Sequence, residues 1–111
     1  MKKYLALYMA PLSSFDKALR GTPEEMKKSM DEWTSWMKKN EGVIVDGGTP
    51  LGKTKRVSSE GITDIRNMVG GYTIVRAESL SAAAKIFENN PHFQLPNGSV
   101  EVMEFVQMPG M

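Results

Sequence analysis

The chain has 111 residues and a formal net charge of +1, from 14 basic and 13 acidic side chains. This length suits a single domain over residues 1–111. The basic residues form no stripe, which argues against nucleic acid as a partner. The sequence has no cysteine and one histidine, so it offers neither disulfides nor the usual ligand sets of a metal site. We therefore expect no metal and no cofactor.

The N-terminus has one feature of a signal peptide, because two lysines precede an apolar run. Two tyrosines interrupt this run, and no small-residue cleavage site follows it. No apolar run is long enough to span a membrane. We expect a cytoplasmic protein that makes no membrane contact.

The first half of the chain predicts a strand, a helix and a short strand. Lys3 to Met9 alternates with apolar residues on both faces, which predicts a strand covered on both sides. A loop with a short turn is expected over residues 12–21. Thr22, Pro23 and Glu25 then form a capping box with proline at the first helical position. The helix ends at Gly42, and residues 43–45 predict a short strand.

The capped helix carries a narrow stripe of large apolar side chains at spacings of four, three and four: Met26, Met30, Trp33 and Met37. Such a stripe is typical of a helix face that packs on a core. A methionine-rich binding surface is the alternative interpretation. Trp36 lies at the edge of the stripe, where it could reach a cleft.

The second half repeats the plan. A strand around Tyr72 to Arg76 is followed by a helix over Leu80 to Asn89 with Ser79 as its cap. Pro91 stops that helix, and a turn leads to a last strand over Val100 to Phe105. Between the halves, residues 46–69 predict an irregular hairpin that acts as a functional loop or flap.

Two β-α-β units in succession predict an α+β fold of the ferredoxin-like type, with both helices on one face of the sheet. The strands are apolar on the other face as well. We therefore expect a homodimer in which two sheets pack face to face.

One motif requires scrutiny, because residues 47–54 read GGTPLGKT and match the phosphate-binding P-loop. A P-loop must open a helix whose N-terminal amides hold the phosphates. Here the following residues are poor helix formers, and Gly61 comes within two turns. We interpret the segment as a turn-rich loop.

His92 is the candidate proton carrier, since it lies in a loop directly after Pro91 and histidine exchanges protons near neutral pH. Asp46 and Asp64 are the candidate catalytic carboxylates that could pair with it. Four further residues are candidates for substrate binding. They are Arg66, Trp36, Tyr72 and Glu101, the last because its carboxylate alternates with apolar side chains.

The chain resembles the YCII-related (DGPF-domain) family, and within it a subgroup of small bacterial proteins that end in PGM. The matching segments are KKYLALYMAP, DEWTSWMKKNEG, VIVDGGTPLGKTKRV, NPHF, EVMEF and MPGM. The resemblance implies a dimeric α+β barrel, and it identifies GGTPLGKT as a family loop. Some YCII-like proteins are thought to use a histidine–aspartate pair in a cleft for acid/base chemistry. The subgroup typically has His-Pro-His where this chain has Asn90-Pro91-His92, and the DGPF signature is replaced around residues 63–66.

Two functions remain open from the sequence. One is a cofactor-independent acid/base enzyme, of lyase or isomerase type, that acts on a small metabolite in a cleft of the dimeric barrel. The other is a non-catalytic module for small-molecule binding or regulatory interaction, which could use the dimer surface or the apolar C-terminal tail.

Overall fold

Both halves of the chain contribute to one antiparallel sheet. The computed structural model describes residues 1–110. Its elements in chain order are β1 (Lys2–Met9), α1 (Leu12–Leu19), α2 (Pro23–Lys39), β2 (Ile44–Asp46), β3 (Thr54–Ser58), β4 (Gly61–Ile65), β5 (Val69–Ala77), α3 (Leu80–Ile86) and β6 (Ser99–Glu104). A 3-10 turn over Pro91–Gln94 precedes β6.

The sheet has the strand order β2-β5-β1-β6, with β1 and β5 in the centre. Each β-α-β half thus places one strand at the centre and one at an edge, which is the ferredoxin-like arrangement and confirms the predicted α+β fold. Two elements differ from prediction. Residues 12–19 form a regular helix where a loop was expected, and α3 ends at Ile86, three residues early.

Side-chain caps account for where α2 and α3 begin. Thr22 accepts a hydrogen bond from the backbone of Glu25 at 3.1 Å, and its hydroxyl donates to the Glu25 carboxylate at 3.1 Å. Ser79 likewise accepts from the backbone of Ala82 at 3.1 Å. A cap of this kind typically stabilises a helix by about 1 kcal/mol.

The core lies between the helices and one face of the sheet. On that face β1 and β5 bury Tyr4, Ala6, Tyr8, Thr73 and Val75, and the helical layer contributes Trp36, Ala83 and Phe87. The packing face of α2 differs from the predicted stripe. Met26 and Met30 are 43% and 69% exposed, whereas Trp36, expected at a cleft, is 7% exposed in the core.

The opposite face of the sheet carries no helix. The molecule is only 19 Å thick in its shortest dimension, which is the depth of one helical layer on one sheet. This bare face is nevertheless apolar, with Leu5 paired to Ile74 on one side and to Met103 on the other. Among residues 1–110, no helix has the length and apolarity needed to cross a bilayer.

The predicted hairpin is confirmed, and it forms a separate two-stranded sheet. Its register pairs Thr54 with Ile65 and Val57 with Ile62. A bridge between Pro50 and Gly71 ties its base to β5. Because Thr54 begins a strand, GGTPLGKT lacks the helix N-terminus that a P-loop needs.

Candidate functional site

A cavity of about 460 Å³ opens on the helical side of the sheet. Its walls come from α1, α2, the loop after β2, the start of β5 and the 3-10 turn. The large side chains in these walls are Tyr8, Phe15, Met30, Trp33, Met37 and His92. The lining contains no aspartate, glutamate, lysine or arginine, so the cavity suits an uncharged and largely apolar molecule.

His92 is buried, with 5% of its surface exposed. The side chain of Asn90 caps the 3-10 turn by accepting the His92 backbone N–H at 2.8 Å. The ring Nε2 lies 2.7 Å from the carbonyl oxygen of Met9. A carbonyl oxygen only accepts, so Nε2 carries the proton and Nδ1 holds the lone pair of the neutral ring. The fold thus fixes the tautomer of His92 that carries its proton on Nε2.

A buried polar chain runs beneath the cavity. The Thr73 hydroxyl donates to the carbonyl of Gly47 at 3.1 Å. It therefore accepts from the Tyr8 hydroxyl, 2.8 Å away. The amide Nδ2 of Asn90 is buried without a hydrogen-bond partner in residues 1–110. It lies near enough to Tyr8 to affect its pKa but misses hydrogen-bond geometry.

Burial raises the pKa of the Tyr8 phenol, and the contacts with Thr73 and Asn90 oppose that effect only in part. Above pH 10 the unfolded chain therefore loses a proton that the folded chain keeps. By linkage, this contribution to stability is complete below the unfolded pKa and is lost as the pH rises above it.

We expect the free energy of unfolding to fall more steeply above pH 10 in the wild type than in Tyr8→Phe. The same substitution leaves Thr73 without its donor and should cost about 1–2 kcal/mol at neutral pH. Urea denaturation at pH 8, 9, 10 and 11 measures both effects. Equal slopes in the two proteins would show that Tyr8 ionises as freely in the folded state as in the unfolded chain.

The loop of residues 47–50 forms one wall of the cavity, and Gly48 sets its course. Gly48 has φ of +74°, and a Cβ at this position would lie 1.7 Å from the carbonyl oxygen of Tyr72. The backbone N–H of Gly48 donates to the Asp46 carboxylate at 2.8 Å. The Tyr72 hydroxyl lies 3.4 Å from the other oxygen of that carboxylate, a long contact.

Comparison with known proteins agrees with this architecture. The family model of the YCII-related domain matches residues 6–109. The chain belongs to the YCII-related family. No curated protein shows significant sequence similarity to it.

A solved structure similar to this YCII-related protein is the 5-chloro-2-hydroxyhydroquinone dehydrochlorinase TftG from Burkholderia phenoliruptrix AC1100, in complex with 2,5-dihydroxybenzoquinone. The TM-score is 0.55 at 16% sequence identity, over 97% of this chain and 96% of that one. At this identity the likeness concerns the fold.

Of the residues predicted to form the site of this YCII-related protein, His92 and Tyr72 line the cavity. Asp46 contacts Tyr72 and the cavity loop. The other candidates lie elsewhere. Trp36 is in the core, Glu101 is exposed on β6, Asp64 pairs with Lys55 at 2.6 Å, and Arg66 pairs with Asp16 at 2.8 Å.

Neither candidate carboxylate forms a hydrogen bond with His92, whose ring is held by the Met9 carbonyl instead. A backbone acceptor leaves no trace in residue identity, so sequence reasoning had no signal for it. The sequence also offered no sign that Tyr8 bonds to Thr73 with the Asn90 amide nearby, because these residues lie on three separate elements. Within residues 1–110, no group of three or more histidines and carboxylates is arranged to hold a metal ion.

Proposed function

We propose that this YCII-related protein is a cofactor-independent acid/base enzyme of lyase or isomerase type that acts on a small metabolite in the cavity, with His92 as the proton carrier. The observation that carries the proposal is the fixed tautomer of His92 at an uncharged cavity. The volume of about 460 Å³ lies in the range of ligand pockets, about 300–1,000 Å³.

His92 Nδ1 is the atom we assign to proton transfer. Its lone pair is available because Nε2 donates to Met9, and that donation continues when the ring becomes an imidazolium. The carbonyl therefore stabilises the charged ring without ever competing for the transferred proton. Around the ring, Tyr8 lies at 5.3 Å and Phe15 at 6.4 Å between ring centroids, which fixes its plane.

The cavity wall favours a flat and uncharged substrate. Aromatic side chains surround the space, and the hydroxyls of Thr34 and Thr49 are the polar groups available to orient ligand oxygens. TftG, with the same fold, is a dehydrochlorinase whose structure holds a dihydroxybenzoquinone. A dehydrochlorination removes a proton and releases chloride, and removal of such a proton is the chemistry we assign to His92.

Asp46 and Tyr72 lie next to the proposed site, at the end of β2. Tyr72 belongs to the cavity wall, but its side chain projects to the face of the sheet that carries Leu5 and Ile74, where its hydroxyl lies 3.4 Å from the Asp46 carboxylate, so we assign neither group a contact with the substrate. The roles predicted for Asp64, Arg66, Trp36 and Glu101 are not part of this proposal, because none of them lines the cavity.

The test begins with a thermal-shift screen of neutral ring compounds against the wild type and His92→Gln. Glutamine keeps a donor for the Met9 carbonyl but is no base. Hits are then incubated in D₂O, and exchange at carbon or turnover is followed by NMR. We expect His92→Gln to bind the hits while its exchange rate falls by about 10²–10⁴-fold, the usual contribution of general acid–base catalysis.

Asp31→Asn is the matched control, since Asp31 is exposed on α2 and lines neither the cavity nor the space beside the hairpin. Its exchange rate should equal that of the wild type. Hits that bind the wild type and His92→Gln equally well, without exchange or turnover in either, would contradict an enzymatic function and favour a binding module. Equal exchange in His92→Gln would remove the role of His92.

We further propose that the protein works in the cytoplasm as a homodimer whose bare sheet faces pack together. The apolar residues of this face support the dimer, because Leu5, Ile74 and Met103 lie side by side there and a contiguous exposed apolar patch is typical of an interface.

A further inference from the structure

A second depression lies directly beside the cavity, between α1 and the β3–β4 hairpin. This hairpin groove has a volume of about 1160 Å³. It shares Phe15, Pro50 and Gly70 with the cavity, so the two spaces meet along a common wall. The GGTPLGKT loop continues through both, with residues 47–50 lining the cavity and residues 50–54 lining the groove.

Phe15 is the largest side chain of the common wall. Its ring lies so close to Gly70 that a Cβ there would come within 2.5 Å of the ring, so only glycine lets it occupy this place. The helix that carries Phe15 is held by Ser14, which donates to the Pro96 carbonyl at 2.6 Å, and by the exposed ion pair of Asp16 with Arg66. Rotation of one aromatic side chain would therefore connect the two spaces.

The charges of the two spaces differ. The cavity lining has no carboxylate, lysine or arginine, whereas the groove has Lys53, Lys55 and Arg66 with a single carboxylate, Asp64. Lys55 is paired with Asp64, and Arg66 with Asp16. Within residues 1–110, Lys53 forms no ion pair. It lies in the loop that also lines the cavity, only three residues after the shared Pro50.

We propose that the cavity and the hairpin groove form one site for an elongated ligand, with an uncharged ring beside His92 and an anionic end beside Lys53. Phe15 separates the two parts and gives way to the spacer that joins them. This inference rests on the proposed function and deepens it by naming the substrate class: an uncharged ring joined through a flexible chain to a carboxylate.

The experiment compares ω-phenylalkanoates with the corresponding ω-phenylalkanols, with one to seven methylene groups in the chain. Affinities are measured by calorimetry at low ionic strength. Each methylene adds apolar contact equally to the acid and the alcohol, so the ratio of their affinities isolates the charge. We expect a ratio near one for short chains and a rise of about two- to fivefold once the carboxylate reaches Lys53, the range typical of an exposed ion pair.

Lys53→Met should abolish this rise and leave the short ligands unchanged. Lys28→Met, on the outer face of α2, is the matched control and should keep the rise in full. Phe15→Leu keeps an apolar side chain on α1 but reduces the bulk between the cavity and the hairpin groove. It should strengthen binding of the long ligands more than that of the short ones.

A ratio that stays flat at every chain length, or a rise that persists in Lys53→Met, would overturn the inference. In that case binding of the short ligands, with loss of exchange in His92→Gln, would leave the proposed function intact. Failure of every phenyl compound to bind would count against both, because the ring site itself would then be wrong.

Discussion

Gly48→Ala should destabilise the protein by about 3 kcal/mol or more. Part of this cost, about 1–2 kcal/mol, is the penalty of a left-handed backbone for a residue with a Cβ. The remainder is steric, since the new methyl would lie 1.7 Å from the carbonyl oxygen of Tyr72 and 2.7 Å from its carbonyl carbon. Both atoms belong to the backbone of β5, so no side-chain rotation relieves the overlap.

The loop must therefore move, and its contacts move with it. The Gly48 N–H would leave Asp46, and the Gly47 carbonyl would leave the Thr73 hydroxyl, which is fully buried. The Thr73 hydroxyl would keep its bond with Tyr8 but lose the acceptor of its own proton, and a buried donor left unsatisfied costs about 1–3 kcal/mol. For a chain of this size we expect the midpoint of thermal unfolding to fall by about 10 °C or more.

Gly52→Ala is the matched control in the same loop. A Cβ at Gly52 would meet no atom within 4 Å, and its φ lies outside the left-handed region. That variant should melt within a few degrees of the wild type, and the measurement is circular dichroism during heating. A Gly48→Ala protein that melts at the same temperature as Gly52→Ala would show that residue 48 does not pack against the backbone of Tyr72.

The fold could be predicted from the sequence because its signals are local. The capping box at Thr22, the period of two in β1 and the turn residues around Gly61 each determine a short segment. Four strands and two crossover helices in β-α-β order then leave few arrangements. Helix α1 was missed because it has no side-chain cap, and its fixed contacts, Ser14 with Pro96 and Asp16 with Arg66, join residues far apart in the chain.

The candidate site was less accessible to such reasoning. His92 could be singled out by residue type and by the preceding proline, but its partner is the backbone of β1. Met30 was expected in the core but is exposed, whereas Trp36 was expected at a cleft but lies in the core. The side of α2 that meets the sheet is set by tertiary packing and not by the helical period alone. A carboxylate was expected beside His92, whereas Asp64 is bound to Lys55 on the hairpin.

Leu5→Glu should convert the proposed homodimer into monomers. Leu5 lies on the central strand of the bare sheet face, paired to Ile74 on one side and Met103 on the other. In the dimer its carboxylate would be buried between Ile74 and Met103, at a cost of several kcal/mol per subunit, because the nearest basic residues of this face, the paired Lys3 and Arg76, lie one pair further along the strands. In the monomer the same side chain points to water, so the substitution should spare the fold while abolishing association.

Analytical ultracentrifugation over a range of micromolar concentrations distinguishes these states, with the wild type expected at twice the chain mass of 12.3 kDa. Leu80→Glu is the control, because Leu80 is 46% exposed at the start of α3 on the other side of the sheet and an acidic residue is favourable there. It should remain dimeric. A wild type that sediments at the mass of one chain would refute the face-to-face dimer. A dimeric Leu5→Glu would place the interface elsewhere, since no closed pairing of these two sheets leaves their central strands in water.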